Sequence, residues 1–147
     1  MASKFDKAHI LAFLLPAALL GGAYGSQYIG GLFPCEMCWW QRYPHFAAVA
    51  ITLVAFGVSN TGFRTVLVAL AALAIASSGL IGGFHAGVEY GYWEGLTACT
   101  ATISGSGDDL LQSIMNAPLV RCDVAPWTLF GISLAGYNFL LSFGGAM

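Results

Sequence analysis

Four cysteines form two pairs whose spacing is suited to disulfide exchange. Cys35 and Cys38 are separated by only two residues, whereas Cys99 and Cys122 lie far apart in the chain. A disulfide across a two-residue spacer closes a small ring that exchanges readily, and exchange proceeds when a thiolate attacks a disulfide sulfur. If the two pairs meet in space, electrons can pass from one pair to the other and onward to an acceptor.

The chain around these cysteines predicts a membrane protein. Apolar residues make up 58% of the 147 residues and charged residues 8%, with a mean hydropathy of +0.75. A soluble domain carries about 25% charged residues. Four continuous apolar stretches each approach the roughly 20 residues that a helix needs to cross the hydrocarbon. They predict an all-α membrane protein, a single domain over residues 1–147 built as a four-transmembrane-helix bundle, with spans 9–29, 39–58, 65–88 and 127–143.

All four cysteines are expected at the same membrane surface. The loops 30–38 and 89–126 carry them, and an even number of predicted helices separates these loops. The excess of basic residues is small, but it favours cytoplasmic termini and cysteine loops on the outer side. Three basic residues would then lie inside (Lys4, Lys7, Arg64) and two outside (Arg42, Arg121).

The first apolar stretch has a second interpretation, as a signal peptide. Lys4 and Lys7 precede it, and small residues flank Tyr24 as they would a cleavage site. The stretch is long for a signal core, and Gly21 and Gly25 form a small-residue pair suited to helix packing. These features favour a retained helix.

The outer location favours oxidised cysteines, since disulfides persist outside the cytosol. Zinc is the main alternative, because Cys35 and Cys38 have the spacing of half a zinc site. The distant pair lacks the second Cys-x-x-Cys, however. A c-type haem is disfavoured because Trp39, not histidine, follows Cys38. A non-enzymatic scaffold with two structural disulfides also stays open.

The sequence around the close cysteine pair indicates reactivity. A cysteine in the first turn of the second helix would experience the positive end of the helix dipole, which favours thiolate. Arg42 lies four residues after Cys38 on the same helix face and would also lower the thiol pKa. Glu36 opposes both effects. Pro44 introduces an alternative, since a proline at the first helical position would leave Cys38 outside the helix.

At this point the chain resembles the disulfide bond formation protein B (DsbB) family. The resemblance is carried by Cys-x-x-Cys-x-x-Gln-Arg at residues 35–42, after one predicted span, and by the later cysteine pair. The segment 83–89, at the end of the third predicted helix, and the segment 122–134, which leads into the last one, also look like the family.

The resemblance implies a quinone-linked thiol oxidase of the bacterial inner membrane. Cys99 would form a mixed disulfide with a soluble, DsbA-like thioredoxin-fold partner, and Cys122 would then pair transiently with Cys35. Cys38 would remain as a thiolate facing ubiquinone or menaquinone, and Arg42 would help to hold that quinone. Quinone reduction suits this role because DsbA is itself a strong oxidant and needs a stronger acceptor.

Other polar and small residues have two interpretations each. His85 could donate a hydrogen bond to a quinone or could only link helices, and His45 is interpreted as structural. Residues 108–116 predict a short amphipathic helix, lying on the membrane surface or packed on the bundle. Four glycines form a stripe on the third helix that favours close helix contact, with room for a quinone ring as the alternative: Gly79, Gly83, Gly87 and Gly91.

Overall fold

The structure is a computed structural model that describes residues 4–97, 99, 106–115 and 120–147. Within these ranges the chain is mostly helical, and its elements follow in the order α1, α2, α3, α4, β1, β2 and α5. The helices are α1 (Lys4–Tyr28), α2 (Glu36–Phe56), α3 (Thr61–Glu89), α4 (Asp108–Met115) and α5 (Leu134–Ala146). The strands are β1 (Thr128–Leu129) and β2 (Ile132–Ser133), which pair antiparallel.

Four helices, α1, α2, α3 and α5, pack into a bundle with a core of small side chains. Ala48, Ala55 and Ala71 are fully buried around Ile75, while large residues such as Leu73 are exposed. Small residues inside and large apolar residues outside are expected where lipid, not water, surrounds the helices. Within the described residues, two helical segments are long and apolar enough to cross a membrane, 7–28 and 61–89. The count of four spans stays a prediction.

The last helix begins later than the sequence predicted. We expected a span from residue 127, but residues 128–133 form the β1–β2 hairpin and α5 starts at Leu134. Phe130 and Gly131 have φ values of 51° and 77° at the turn, a backbone shape typical of tight hairpins. Ser133 then caps α5 by accepting a hydrogen bond from the Gly136 N–H at 3.1 Å. The helix has 13 residues and rises only about 20 Å.

The glycine stripe on α3 serves close helix contact, although it is shorter than predicted. A Cβ on Gly79 would lie 3.0 Å from the Phe143 backbone nitrogen, and one on Gly83 would lie 2.9 Å from the Phe139 ring. Gly87 instead makes room for the Trp93 ring. Gly91 lies beyond the end of α3 with φ of 72°, so its inclusion in the stripe was wrong.

The predicted amphipathic helix is present as α4. Of its apolar residues, Leu111 and Met115 are exposed. The side chains of Leu110 and Ile114, and residue 116 at the end of the predicted segment, lie outside the described set. Attachment of α4 to a membrane surface therefore stays a prediction.

Gly82 provides a test of the α3–α5 contact. A Cβ there would lie 2.9 Å from the Ala135 carbonyl oxygen, and α5 must move to relieve that overlap. We expect Gly82→Ala to destabilise the bundle by about 1–3 kcal/mol, as overpacking does. The measurement is the unfolding transition in detergent by circular dichroism.

Gly21→Ala is the matched control, because nothing lies within 4 Å of the added methyl group. Removing a helical glycine there should leave stability unchanged or raise it slightly. Equal unfolding midpoints for the two variants would contradict the close α3–α5 contact.

Candidate active site

The structure brings the sulfur atoms of both cysteine pairs together beside the start of α2 and the end of α3. Cys99 and Cys122 form a disulfide with a Cα–Cα distance of 5.4 Å. The sulfurs of Cys35 and Cys38 are 2.7 Å apart without a disulfide between them. Cys35 Sγ, Cys122 Sγ and a ring nitrogen of His85 all lie within 4.8 Å of one another. The two pairs are thus close enough to exchange a bond after a small movement.

The start of α2 places the close cysteine pair at the positive end of a helix. Cys35 is the N-cap residue, and its sulfur accepts a hydrogen bond from the Cys38 backbone N–H at 3.2 Å. Cys38 is therefore in the first turn, as one of the two sequence alternatives required. Pro44 lies inside α2 and not at its first position, so the alternative that excluded Cys38 from the helix was wrong.

Hydrogen bonding divides the charge unequally between these two thiols. The hydrogen bond from the Cys35 thiol lowers the pKa of Cys38, and the nearby Arg42 adds a smaller effect in the same direction. The same hydrogen bond, together with burial, raises the pKa of Cys35. In the reduced pair, these pKa shifts favour the thiolate at Cys38 and the proton at Cys35.

A buried carboxylate that the sequence analysis missed also acts on the cysteine pair. Glu36, which we expected to oppose thiolate formation, is exposed. Glu89 is the acid whose charge raises the pKa of both Cys35 and Cys38. Its side chain is 2% exposed, and its Oε1 lies 3.8 Å from His85 Nε2. The sequence feature that could have identified Glu89 is its position four residues after His85, on the same face of α3.

Arg42 is buried and fixed to α1. Its guanidinium donates to the Gln27 side chain at 2.7 Å and to the Ala23 carbonyl at 3.2 Å. It also lies over the rings of Tyr24 and Trp39, at 4.8 and 4.9 Å from their centroids. These contacts use only part of a group that has five N–H donors.

A cavity of about 200 Å³ opens between α1, α2, α3 and α5, next to the close cysteine pair. The α1 side is apolar or small, including Leu19, Leu20 and Ala23. The other side presents polar groups, and both predicted quinone contacts are among them. These polar residues are Cys38, Gln41, Arg42, His45, His85, Glu89, Tyr137 and Asn138.

A buried polar network extends from the cysteines into the bundle. His85 contacts Gln41 at 2.8 Å, Gln41 accepts from Asn138 at 2.9 Å, and Asn138 accepts from His45 at 2.9 Å. Sequence analysis left His45 as structural and treated Gln41 only as part of a motif. The detectable signal was the spacing of polar residues by four along apolar helices, as in Gln41 and His45.

Cys35, His85 and Cys122 have the residue types and separation of a metal site. His85 Nε2, however, lies 3.2 Å from the Cys122 carbonyl oxygen, which can only accept a hydrogen bond. That nitrogen therefore carries a proton and has no lone pair for a metal ion. A metal at these three residues would require the opposite tautomer and a reduced Cys122.

Comparison with known proteins relates the chain to disulfide bond formation proteins. A family model described as disulfide bond formation protein DsbB matches residues 6–147. The chain is 31% identical over 142 residues to disulfide bond formation protein B 2 of Pseudomonas syringae pv. syringae, with 92% of this chain and 79% of the relative covered. It is 26% identical over 134 residues to disulfide bond formation protein B of Marinobacter nauticus, with coverages of 87% and 79%.

An uncharacterized protein of Rickettsia prowazekii, RP370, is also similar, at 24% identity over 143 residues, covering 95% of this chain and 82% of that protein. No solved structure matches the chain. The family model spans nearly the whole sequence, including all four cysteines and the helices that position them. The chain therefore belongs to the DsbB family of disulfide bond formation proteins.

Proposed function

We propose that the protein is a membrane thiol oxidase. It reoxidises a DsbA-like, thioredoxin-fold dithiol protein and passes the electrons through its two cysteine pairs to a membrane quinone. The observation that carries this proposal is the grouping of the two cysteine pairs beside each other, with one of their members lining a cavity. Cys35 and Cys122 bring the pairs together, while Cys38 lines the cavity.

The first half of the reaction is thiol exchange at the outer loop. A thiolate of the partner attacks Cys99 in the Cys99–Cys122 disulfide, and Cys122 leaves as a thiolate. Cys122 then attacks Cys35 in an oxidised Cys35–Cys38 disulfide, forming a Cys35–Cys122 bond and releasing Cys38 as the thiolate. The partner's second thiol breaks its bond to Cys99, which frees an oxidised partner.

The second half restores both disulfides of the enzyme. Cys99 attacks Cys122, re-forms the Cys99–Cys122 disulfide and releases Cys35. The reduced Cys35–Cys38 pair then holds two electrons and one proton, on Cys35. Loss of both electrons to an acceptor, whose second proton comes from solution, re-forms the Cys35–Cys38 disulfide. When a quinone is bound, it supplies the two-electron acceptor chemistry that the protein's own residues lack.

The cavity next to Cys38 has the features that a quinone requires. Apolar α1 side chains would contact the ring, and polar groups opposite would face its carbonyl oxygens. Arg42 and His85 are the proposed quinone contacts. The His85 N–H already faces the Cys122 carbonyl, and a quinone oxygen would have to compete with that carbonyl for the same N–H. Arg42, with donors beyond those bound to α1, is consequently the main proposed donor.

Localisation follows from the same proposal. The protein would lie in the bacterial inner membrane with both termini cytoplasmic, and the cysteine loops would face the periplasm and the soluble partner. Disulfides persist in that compartment.

The direct test uses purified protein, a reduced thioredoxin-fold substrate and ubiquinone. We expect thiol-dependent quinone reduction, followed by absorbance, and its abolition in Cys38→Ser. If both cysteine pairs stay inert toward thiols and quinone, the scaffold interpretation replaces the enzyme. If the protein instead carries stoichiometric zinc that is lost in Cys35→Ser, the metal-binding interpretation replaces it.

Thiolate reactivity of the reduced protein should depend on pH in a defined direction. Because the pKa of Cys38 is lowered, its thiolate persists below the usual thiol pKa of about 8.5. We expect iodoacetamide to modify Cys38 first at neutral pH, with a rate that falls only as pH drops through the lowered pKa. Peptide mass spectrometry measures the two rates across the pH range.

Cys35→Ala serves as the comparison for this measurement. It removes the thiol that donates to Cys38, so the Cys38 alkylation profile should move to higher pH. Earlier modification of Cys35 than of Cys38 in the parent protein would contradict the charge assignment.

Arg42→His is expected to weaken quinone binding while leaving the outer cysteine pair functional. The KM for ubiquinone should rise roughly tenfold, the effect of losing a charged hydrogen bond. Formation of the mixed disulfide between Cys99 and the partner, seen on non-reducing gels, should be unchanged. An unaltered KM for ubiquinone would remove Arg42 from the quinone site.

A further inference from the structure

Two backbone carbonyls fix the direction of the buried polar network. A carbonyl oxygen only accepts, so each side-chain amide must turn its nitrogen toward it. The Met37 carbonyl lies 3.1 Å from the Gln41 amide nitrogen, and the Ser78 carbonyl lies 3.2 Å from the Asn138 amide nitrogen. The orientations of Gln41 and Asn138 are therefore determined without ambiguity.

These amides in turn determine the tautomer of His85. The second N–H of Gln41 points at His85 Nδ1 at 2.8 Å, so Nδ1 must offer a lone pair. On the other side of the ring, Nε2 faces the Cys122 carbonyl at 3.2 Å and must carry the proton. Asn138 donates to the Gln41 amide oxygen at 2.9 Å. Turning Gln41 over would set two donors against each other.

The N–H at His85 Nε2 is within reach of the Cys35 sulfur as well as of the Cys122 carbonyl oxygen and the Glu89 carboxylate. Nε2 lies 3.6 Å from Cys35 Sγ, within hydrogen-bonding range for sulfur. A thiolate at Cys35 would be buried beside Glu89, and both features disfavour its charge. The His85 N–H and the Cys38 backbone N–H are the donors that the structure places on Cys35 in the described part of the chain.

We propose that Gln41 and Asn138 are positioning residues for thiol exchange. They hold His85 in the tautomer whose N–H stabilises Cys35 as a thiolate when its bond to Cys122 breaks. The step is the attack of the Cys99 thiolate on Cys122: the Cys99–Cys122 bond forms, the Cys122–Cys35 bond breaks, and the electron pair leaves on Cys35. This inference rests on the proposed function for the order of exchange.

The tautomer can be observed directly by nitrogen-15 NMR of histidine-labelled protein in detergent, with the His85 signals assigned from a His85→Gln spectrum. We expect the proton on Nε2 in the parent protein. Gln41→Glu, nearly identical in shape, places an acceptor opposite Nδ1 and should move a proton onto that nitrogen. A parent ring protonated at Nδ1, or no change in Gln41→Glu, would overturn the positioning role.

The effect on sulfur is measured in a Cys38→Ser/Cys99→Ser background, which leaves Cys35 and Cys122 as the exchanging pair. Their disulfide is equilibrated with glutathione redox buffers and quantified by thiol alkylation. We expect Gln41→Leu to make reduction of this disulfide roughly tenfold less favourable at alkaline pH, where the released Cys35 is charged, since a hydrogen bond to that charged sulfur is lost. If the leucine variant does not fold, Gln41→Met, which is uncharged and has no N–H donor, serves in its place.

Thr52→Val is the matched control in the same background. Thr52 is fully buried on α2, and its hydroxyl bonds only to α2 carbonyls, at 2.8 and 3.0 Å. It should leave the equilibrium unchanged. An equal shift in the control and the Gln41 variants would reduce the network to a structural role.

Neither measurement involves a quinone or a partner protein. If these results hold but the parent protein reduces no quinone, the proposed function fails and the positioning role stands. If quinone reduction proceeds but the His85 tautomer and the disulfide equilibrium are unchanged in the Gln41 variants, only the positioning role fails.

Discussion

One N–H group, on His85 Nε2, faces both the Cys122 carbonyl and the Cys35 sulfur, at 3.2 and 3.6 Å. This shared donor attaches the outer cysteine loop to α3 and keeps the two cysteine pairs in reach of each other. Within the described part of the loop, the Cys122 backbone N–H donates to the Cys99 carbonyl at 3.1 Å and so holds its two cysteines together. The proposed exchange between the pairs depends on this attachment, because thiol attack requires the sulfurs to be close.

The electrostatics of the site separate the roles of the two cysteines on α2. Cys38, in the first helical turn, accepts charge, and Cys35 is buried and keeps a proton until exchange requires it to leave. Arg42 is held beside this pair by α1, and Glu89 opposes it from α3. The hydrogen bond between the two thiols, with a smaller effect of Arg42 on Cys38, favours thiolate at Cys38, and the cavity adjoins this cysteine.

Much of the fold could be predicted from the sequence, because long apolar stretches define helices by composition alone. The position of α5 could not, since the hairpin before it depends on a local φ reversal at Phe130 that apolar periodicity does not reveal. The cysteine motif and Arg42 were identifiable from spacing along one helix. Asn138 was missed because its importance arises from contacts between helices distant in sequence. Glu89 had a local signal, its position four residues after His85 on α3, but its burial could not be deduced from that spacing.

The most direct measurement of the central claim follows the sulfurs during turnover of the unaltered protein. Fully oxidised protein is mixed with a reduced thioredoxin-fold dithiol, quenched rapidly in acid, and its linked cysteine peptides are identified by mass spectrometry. The account predicts that a Cys35–Cys122 linkage rises and decays before both original disulfides are restored. Turnover in which this linkage never forms, or in which the partner becomes linked to Cys35, would contradict it.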